Sequence, residues 1–226
     1  MLRYPHGTAC RPLQLEVFDA APPWQWCAAA HLRFHRVAKA ETSELESGMI
    51  KMATGVIVYQ SKYGATKKYV DWLIEETNFD CIEASGAKAK DVKNYRIVVL
   101  CGGVYASGIA GISFFRKNYP ELKDKKLAIF CVGASPFEEQ ALCEVKTHNL
   151  KEDLKNVPMF YGRGAWDEGK MTFKDRTLCK MLKKAIAKKD PDTYEPWMKA
   201  LMEAGDGTCD WTDKAYLEPL LEYLDR

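Results

Sequence analysis

The stretch GVIVYQSKYGATKKYV, residues 55–70, decides how the rest of the chain is read. An apolar, β-branched run ends at Tyr59 and is short enough to be a strand buried on both faces. A polar loop follows, and apolar residues then recur at Ala65, Tyr69, Val70, Leu73 and Ile74, the spacing of a helix. Lys67 and Lys68 thus fall in that helix's first turn, with Lys62 just before it. A helix N-terminus carries roughly half a positive charge, so each lysine there is unfavourable by about 0.3–1 kcal/mol. An anion bound at the same place reverses the sign. Ser61 and Thr66 offer hydroxyls, Gly64 lets the backbone turn without a Cβ clash, and the amides of Ala65 and Thr66 point outward at a helix start. The loop lacks the G-x-x-x-x-G-K-[ST] of nucleoside triphosphatases and the G-x-G-x-x-G of dinucleotide folds, so a monophosphate is the better fit. On this reading Lys62, and with it Lys67, serves the anion, while Lys68 is a solvated surface residue.

From Thr54 onward the chain alternates. Strand-like runs fall at TGVIVYQ (54–60), FDCIEAS (79–85), RIVVLCG (96–102), KLAIFCVG (126–133) and MFYGRGAW (159–166). Helical patterns follow to Thr77, through ISFFRKNY to a stop near Pro120, after ASPFEE, and from Thr172 through FKDRTLCKMLKKAIAKK. Buried runs alternating with helices indicate an α/β protein whose parallel sheet is covered on both faces by right-handed crossovers. Ligands of such sheets bind beyond the carboxyl ends of the strands, where the strand order reverses. The loops after Tyr59, Cys101 and Cys131 are therefore the place to look.

Composition narrows the function. The chain has 226 residues, 47% hydrophobic and 28% charged, with a formal charge of +2. That balance gives no field for nucleic acid, and no apolar run approaches the ~20 residues of a membrane span. Eight cysteines are scattered without a C-x-x-C pair, which points to reduced thiols, a cytoplasmic setting and no metal site. Residues 1–48 differ from the rest: three of the four histidines lie there, no period of 2 or 3.6 is sustained, and Pro22 and Pro23 precede the best apolar part. A secretory signal fits poorly. The expectation is an irregular, disordered extension, with Met49 or Met52 a sensible initiator.

Three segments resemble the flavodoxin-like FMN-binding family: SKYGAT its phosphate loop, CGGVYASGIAG and CVGASPFEE the loops on either side of the flavin ring. The resemblance covers about residues 53–189 and implies a doubly wound five-stranded parallel sheet of order 2-1-3-4-5, with residues 190–226 as an added helical segment. Within the family the chain resembles the menaquinone-dependent protoporphyrinogen IX dehydrogenase branch, on YQSKYGATKKYV and YGRGAWDEGKMTFKDRTLCKML. By that resemblance Ser61, Lys62, Tyr63, Gly64, Ala65 and Thr66 hold the FMN phosphate. Gly102, Gly103, Val104, Tyr105 and Ala106 approach the isoalloxazine, the glycines by close backbone contact and Tyr105 by stacking. Gly133, Ala134, Ser135 and Phe137 form the opposite wall, unless Pro136 turns Phe137 into the core. The chemistry belongs to FMN, and no side chain is assigned a catalytic role. A reduced small-molecule donor and a quinone acceptor are the implied partners. A one-electron carrier for protein partners and a flavin-free interaction module stand as alternatives; a near-neutral charge weighs against the first, the three loops against the second.

Residues 174–189 read either as a sheet-packing helix with a solvated lysine face or as a basic amphipathic helix resting on an anionic bilayer. Beyond Asp190, PWMKALMEA stops at Gly205 and WTDKAYLEPLLEYL carries a leucine stripe that Pro219 would bend. This tail could cover the sheet, cap the site or support a homodimer. Cys101 and Cys131 end adjacent strands and read as buried small hydrophobes.

Overall fold

A computed structural model describes residues 54–205 and 207–225. The extension expected over residues 1–48 lies outside them. In chain order the elements are β1 (Gly55–Gln60), α1 (Ala65–Thr77), β2 (Asp80–Glu83), α2 (Ala89–Val92), β3 (Ile97–Tyr105), β4 (Gly108–Ile109), α3 (Ile112–Leu122), β5 (Lys126–Gly133), α4 (Glu139–Asn149) and β6 (Met159–Arg163). Then come β7 (Ala165–Asp167), α5 (Phe173–Ile186), α6 (Pro196–Glu203), β8 (Thr208–Asp210) and α7 (Glu218–Asp225).

Five strands pair in parallel in the order β2-β1-β3-β5-β6. With the two-residue β4 set aside, this is the 2-1-3-4-5 order, and it reverses between β1 and β3. Alternate strand residues enter opposite cores. Val56, Val58, Val98, Leu100 and Ile129 meet Ile112, Phe115 and Leu122 of α3. Ile57, Val99, Ala128 and Phe130 meet Tyr69, Val70 and Leu73 of α1, joined by Leu217, Leu220 and Leu224 from the C-terminal segment. The tail thus covers the sheet beside α1, each buried leucine contributing about 1.5–3 kcal/mol. Tyr69 ties the same layer together: its hydroxyl donates to the Arg163 carbonyl at 2.6 Å and accepts from the Asp213 amide at 3.2 Å.

Cys101 and Cys131 belong to opposite cores, so the sheet itself separates them. Burial pushes the Cys131 thiol up to about 12 and raises that of Cys101 as well. Both pack as small hydrophobes.

Several expectations need correction. Helix α3 does not stop at Pro120 but runs to Leu122. Leu122 is fully buried, and the Lys123 amide closes the last turn on the Tyr119 carbonyl at 2.9 Å, which carries the helix past the proline's missing donor. Pro219 bends nothing: it is the second residue of α7, in the turn whose N–H groups need no helical partner. The run MFYGRGAW divides at Gly164, where a Cβ would stand 2.9 Å from Val132 Cγ1. Past it the chain leaves the parallel sheet, and β7 pairs antiparallel with β8, Trp166 opposite Cys209. Helix α5 does not lay its apolar stripe on the sheet: Leu178, Met181 and Leu182 are exposed and Ile186 is buried.

Lys68 is also more than a solvated residue. Its ammonium reaches Asp210 Oδ2 at 2.8 Å, linking α1 to β8. That hydrogen bond, with those from Thr212, lowers the Asp210 carboxyl to about 2. Its folded value lies below the unfolded ~3.9, so the pair contributes stability above that pH and loses it as pH falls towards 2. Both side chains are half-exposed, which limits the contribution to about 1 kcal/mol. Asp210→Asn is expected to cost about 0.5–1 kcal/mol at neutral pH, and in denaturant titrations the difference from the parent disappears between about pH 4 and pH 2.

Candidate functional site

The loop after β1 turns at Gly64, whose φ of +98° is the left-handed conformation that glycine adopts without a Cβ penalty. A Cβ built there meets nothing within 4 Å, so it is the backbone conformation and not crowding that calls for glycine. The first amides of a helix have no acceptor within the helix. Ser61 Oγ accepts from the amides of Gly64 at 3.2 Å and Lys67 at 3.3 Å. Among the described residues no acceptor meets the amides of Ala65 and Thr66. These two donors, at the positive end of α1, can hold an anion.

The lysines have partners of their own. Lys67 is tied to Asp71, four residues on and away from the helix start. Lys62 and the Tyr63 hydroxyl both donate to Asp175 Oδ2 from α5. The Lys62 bond, then that of Tyr63, holds the Asp175 carboxyl below the usual carboxylate range, and the same contact raises Lys62. Carboxylates thus already answer the charge of Lys62 and Lys67, partners that the reading of an anion site did not include. Sequence spacing could have shown Asp71, which is at i+4; no local signal marked Asp175.

After β3 the chain folds back at once. Val104 pairs with Ile109 and Tyr105 with Gly108, around Ala106 and Ser107 with φ of 45° and 63°. Two left-handed residues make the primed turn that suits a hairpin, at about 1–3 kcal/mol of strain each for non-glycine residues. Asn149 offsets it. This residue, 2% exposed at the end of α4, accepts from the Ile109 amide at 3.0 Å and donates to the carbonyls of Ser107 at 2.6 Å and Val145 at 2.8 Å. Arg116 in turn donates to the Asn149 carbonyl. Asn149 belongs to no motif, and sequence reasoning missed it.

The glycines of these loops fit close to their own neighbours. A Cβ on Gly102 would lie 2.2 Å from the Ala110 carbonyl oxygen, one on Gly103 2.8 Å from the Tyr105 ring, and one on Gly133 2.6 Å from the Tyr161 hydroxyl. Each of the three thus already has a steric partner within the protein. Tyr105 remains 43% exposed, its ring edge-on to Tyr63 with centroids 6.5 Å apart and Lys62 Nζ 5.8 Å away. The β1 and β3 loops thus meet through Lys62, Tyr63 and Tyr105.

The loop after β5 is held from β6. Tyr161 donates to the Ser135 carbonyl at 2.6 Å and Arg163 Nε to that of Ala134 at 3.1 Å. Burial pushes the Tyr161 phenol well up, so it remains a donor at neutral pH. Phe137 does not turn into the core; it is 57% exposed beside the Tyr161 ring. Gly164 sits against both Ala65 and the Gly133 carbonyl, which brings the loops after β1 and β5 to one place. A separate cleft of about 440 Å³, lined by Arg163, Trp211, Asp213, Ala215 and Tyr216, shares no residue with the three loops.

The flavodoxin domain family matches residues 56–194, more than half of the chain. The protein belongs to that family and binds its cofactor, FMN. Similar solved structures include the Trp repressor binding protein of Bacillus subtilis, 12% identical over 49% of this chain and 83% of that one, with a TM-score of 0.39. The two-electron reduced flavodoxin of Megasphaera elsdenii is 16% identical over 49% and 83%, with a TM-score of 0.35. A flavodoxin from the domain Archaea is 17% identical over 56% and 91%, with a TM-score of 0.32. Comparison with curated proteins gives no match. The residues present fit FMN at its phosphate end, where the amides of Ala65 and Thr66 meet no acceptor among the described residues.

Two outcomes follow for the site. Asn149→Ala leaves the buried Ile109 amide without its acceptor and is expected to cost about 2–3 kcal/mol of stability, read by chemical denaturation, with weaker FMN binding as the hairpin loosens. Asp175→Asn removes a negative charge from beside the place where the phosphate is expected. FMN should then bind several-fold tighter at low salt, with the gain shrinking as salt screens it; titration by flavin fluorescence measures both.

Proposed function

We propose that the protein is an FMN-dependent oxidoreductase that passes electrons from a reduced small-molecule donor to a quinone, in the manner of the menaquinone-dependent protoporphyrinogen IX dehydrogenases. The observation that carries this reading is the wiring of the segment YGRGAWDEGKMTFKDRTLCKML to the cofactor loops. Its first part pins the loop after β5 through Tyr161 and Arg163, and its last part sends Asp175 to Lys62 and Tyr63. A segment that touches both the phosphate loop and the loop after β5 can set which partner reaches the flavin.

FMN, when bound, supplies the electron and hydride chemistry. The chain's residues bind and orient it. The amides of Ala65 and Thr66 hold the phosphate, Ser61 keeps the turn in shape, and Tyr105 offers a ring face worth about 0.5–1.5 kcal/mol in stacking beyond burial. Ala134 and Ser135, with Phe137, wall the other side. Open crevice loops and the near-neutral formal charge of +2 suit a small uncharged acceptor better than docking to a basic protein carrier. A one-electron carrier for protein partners is the second reading, favoured by the flavodoxin domain match itself.

The test is turnover with the FMN-loaded full chain. A soluble menaquinone analogue is expected to reoxidise the reduced protein over many cycles, and protoporphyrinogen IX to reduce it. Reoxidation by a one-electron protein acceptor such as cytochrome c, with no quinone turnover, would favour the carrier. Tyr105→Ala should weaken FMN binding about 2- to 12-fold, the equivalent of the lost stacking.

A further inference from the structure

We propose that the outer face of α5 is a docking surface for an anionic lipid bilayer. A helix beside a sheet ordinarily buries its apolar stripe; α5 does the reverse. Phe173 is 82%, Met181 64% and Leu178 57% exposed, with Leu182 exposed beside them. The side turned to the protein is polar and occupied. Arg176 donates to the carbonyls of Glu168 and Gly169 at 3.0 Å, and Lys183 to buried Glu168 at 3.4 Å and to the Gly205 carbonyl. Asp175 holds Lys62 and Tyr63. Rolling the helix to hide its leucines would break all of these contacts, so the apolar face is fixed outward.

The charge on that face selects the occupant. Lys174 and Lys184 are exposed there and Lys188 and Lys189 just past the helix end, while Lys180 at the edge of the face pairs with Glu168 at 3.5 Å. Asp175 is the only carboxylate in residues 173–189, and it faces the phosphate loop. The two kinds of residue interleave: at 3.6 residues per turn, Met181, Lys174, Ala185 and Leu178 fall within an arc of about 60°. Interleaving suits a bilayer surface, where aliphatic groups enter the acyl boundary while ammonium groups on flexible stems stay with lipid phosphates. A second copy of the chain suits it poorly, because a two-fold contact would bring the same lysines face to face. The neighbouring α6 packs on α5 through Ile186, Met198 and Leu201 and leaves Trp197 and Met202 exposed. Docking here does not depend on the electron acceptor, but it would bring the loops after β1 and β3 near the phase in which lipid-soluble quinones dissolve.

Co-sedimentation of the FMN-loaded full chain with vesicles tests the proposal. The protein is expected to bind vesicles of phosphatidylcholine with about a third phosphatidylglycerol at least about tenfold better than pure phosphatidylcholine, and to leave them at high salt. The double variants Lys174→Glu/Lys184→Glu and Leu178→Ser/Met181→Ser should each reduce binding about tenfold or more, with the thermal midpoint and FMN affinity unchanged. Failure to bind the anionic vesicles, equal binding to neutral ones, or binding that neither variant alters would overturn it. So would concentration-dependent self-association that Leu178→Ser/Met181→Ser abolishes, which would assign the face to a second copy.

Discussion

Two backbone amides at the start of α1, those of Ala65 and Thr66, meet no acceptor among the described residues, and the loops of the site gather around them. They lie where the sheet order turns back on itself between β1 and β3, the place at which parallel sheets of this kind take their ligands. The turn that aims them needs glycine at position 64, and the residues that follow contain no carboxylate in the helix's first turn to compete. A helix start with two amides left over after Ser61 has taken that of Lys67 is suited to binding a dianion.

The surrounding loops owe their shape to single polar residues reaching in from elsewhere. Asn149 holds the β3–β4 turn, with its two left-handed residues, from the end of α4. Tyr161 and Arg163 hold the loop after β5. Asp175 reaches the loop after β1 from α5 and engages Lys62 and Tyr63 together. This last contact places a carboxylate beside the proposed phosphate position, so the site balances attraction from a helix terminus and Lys62 against one nearby like charge. The same contact fixes the rotation of α5, and with it the direction in which Phe173, Leu178 and Met181 face.

Much of this was legible in the chain. Strands buried on both faces read as continuous apolar runs, which is why β1, β3 and β5 stand out, and Ala65 to Ile74 show the helical period of α1 directly. Strands of two or three residues such as β4, β7 and β8 offer no period to detect. The stripe on α5 was visible, but periodicity says that a helix has an apolar side and not which way that side points; the orientation comes from Arg176, Lys183 and Asp175, each acting across the fold. The glycines at 102, 103 and 133 were visible as a pattern, but their close fit to Ala110, Tyr105 and Tyr161 is revealed only by the folded backbone. Asn149 had no signal at all, being one amide whose partners lie about forty residues away.

The central claim is that the loop of residues 61–66 holds the phosphate of FMN. Its most direct test is to titrate the intact protein with FMN and with riboflavin, which differ only by that phosphate, and to follow flavin fluorescence. The account predicts FMN affinity at least about a hundredfold above that of riboflavin at low salt, the gap narrowing as salt rises. Equal affinity for the two flavins would contradict it and leave the open amides of α1 without a ligand.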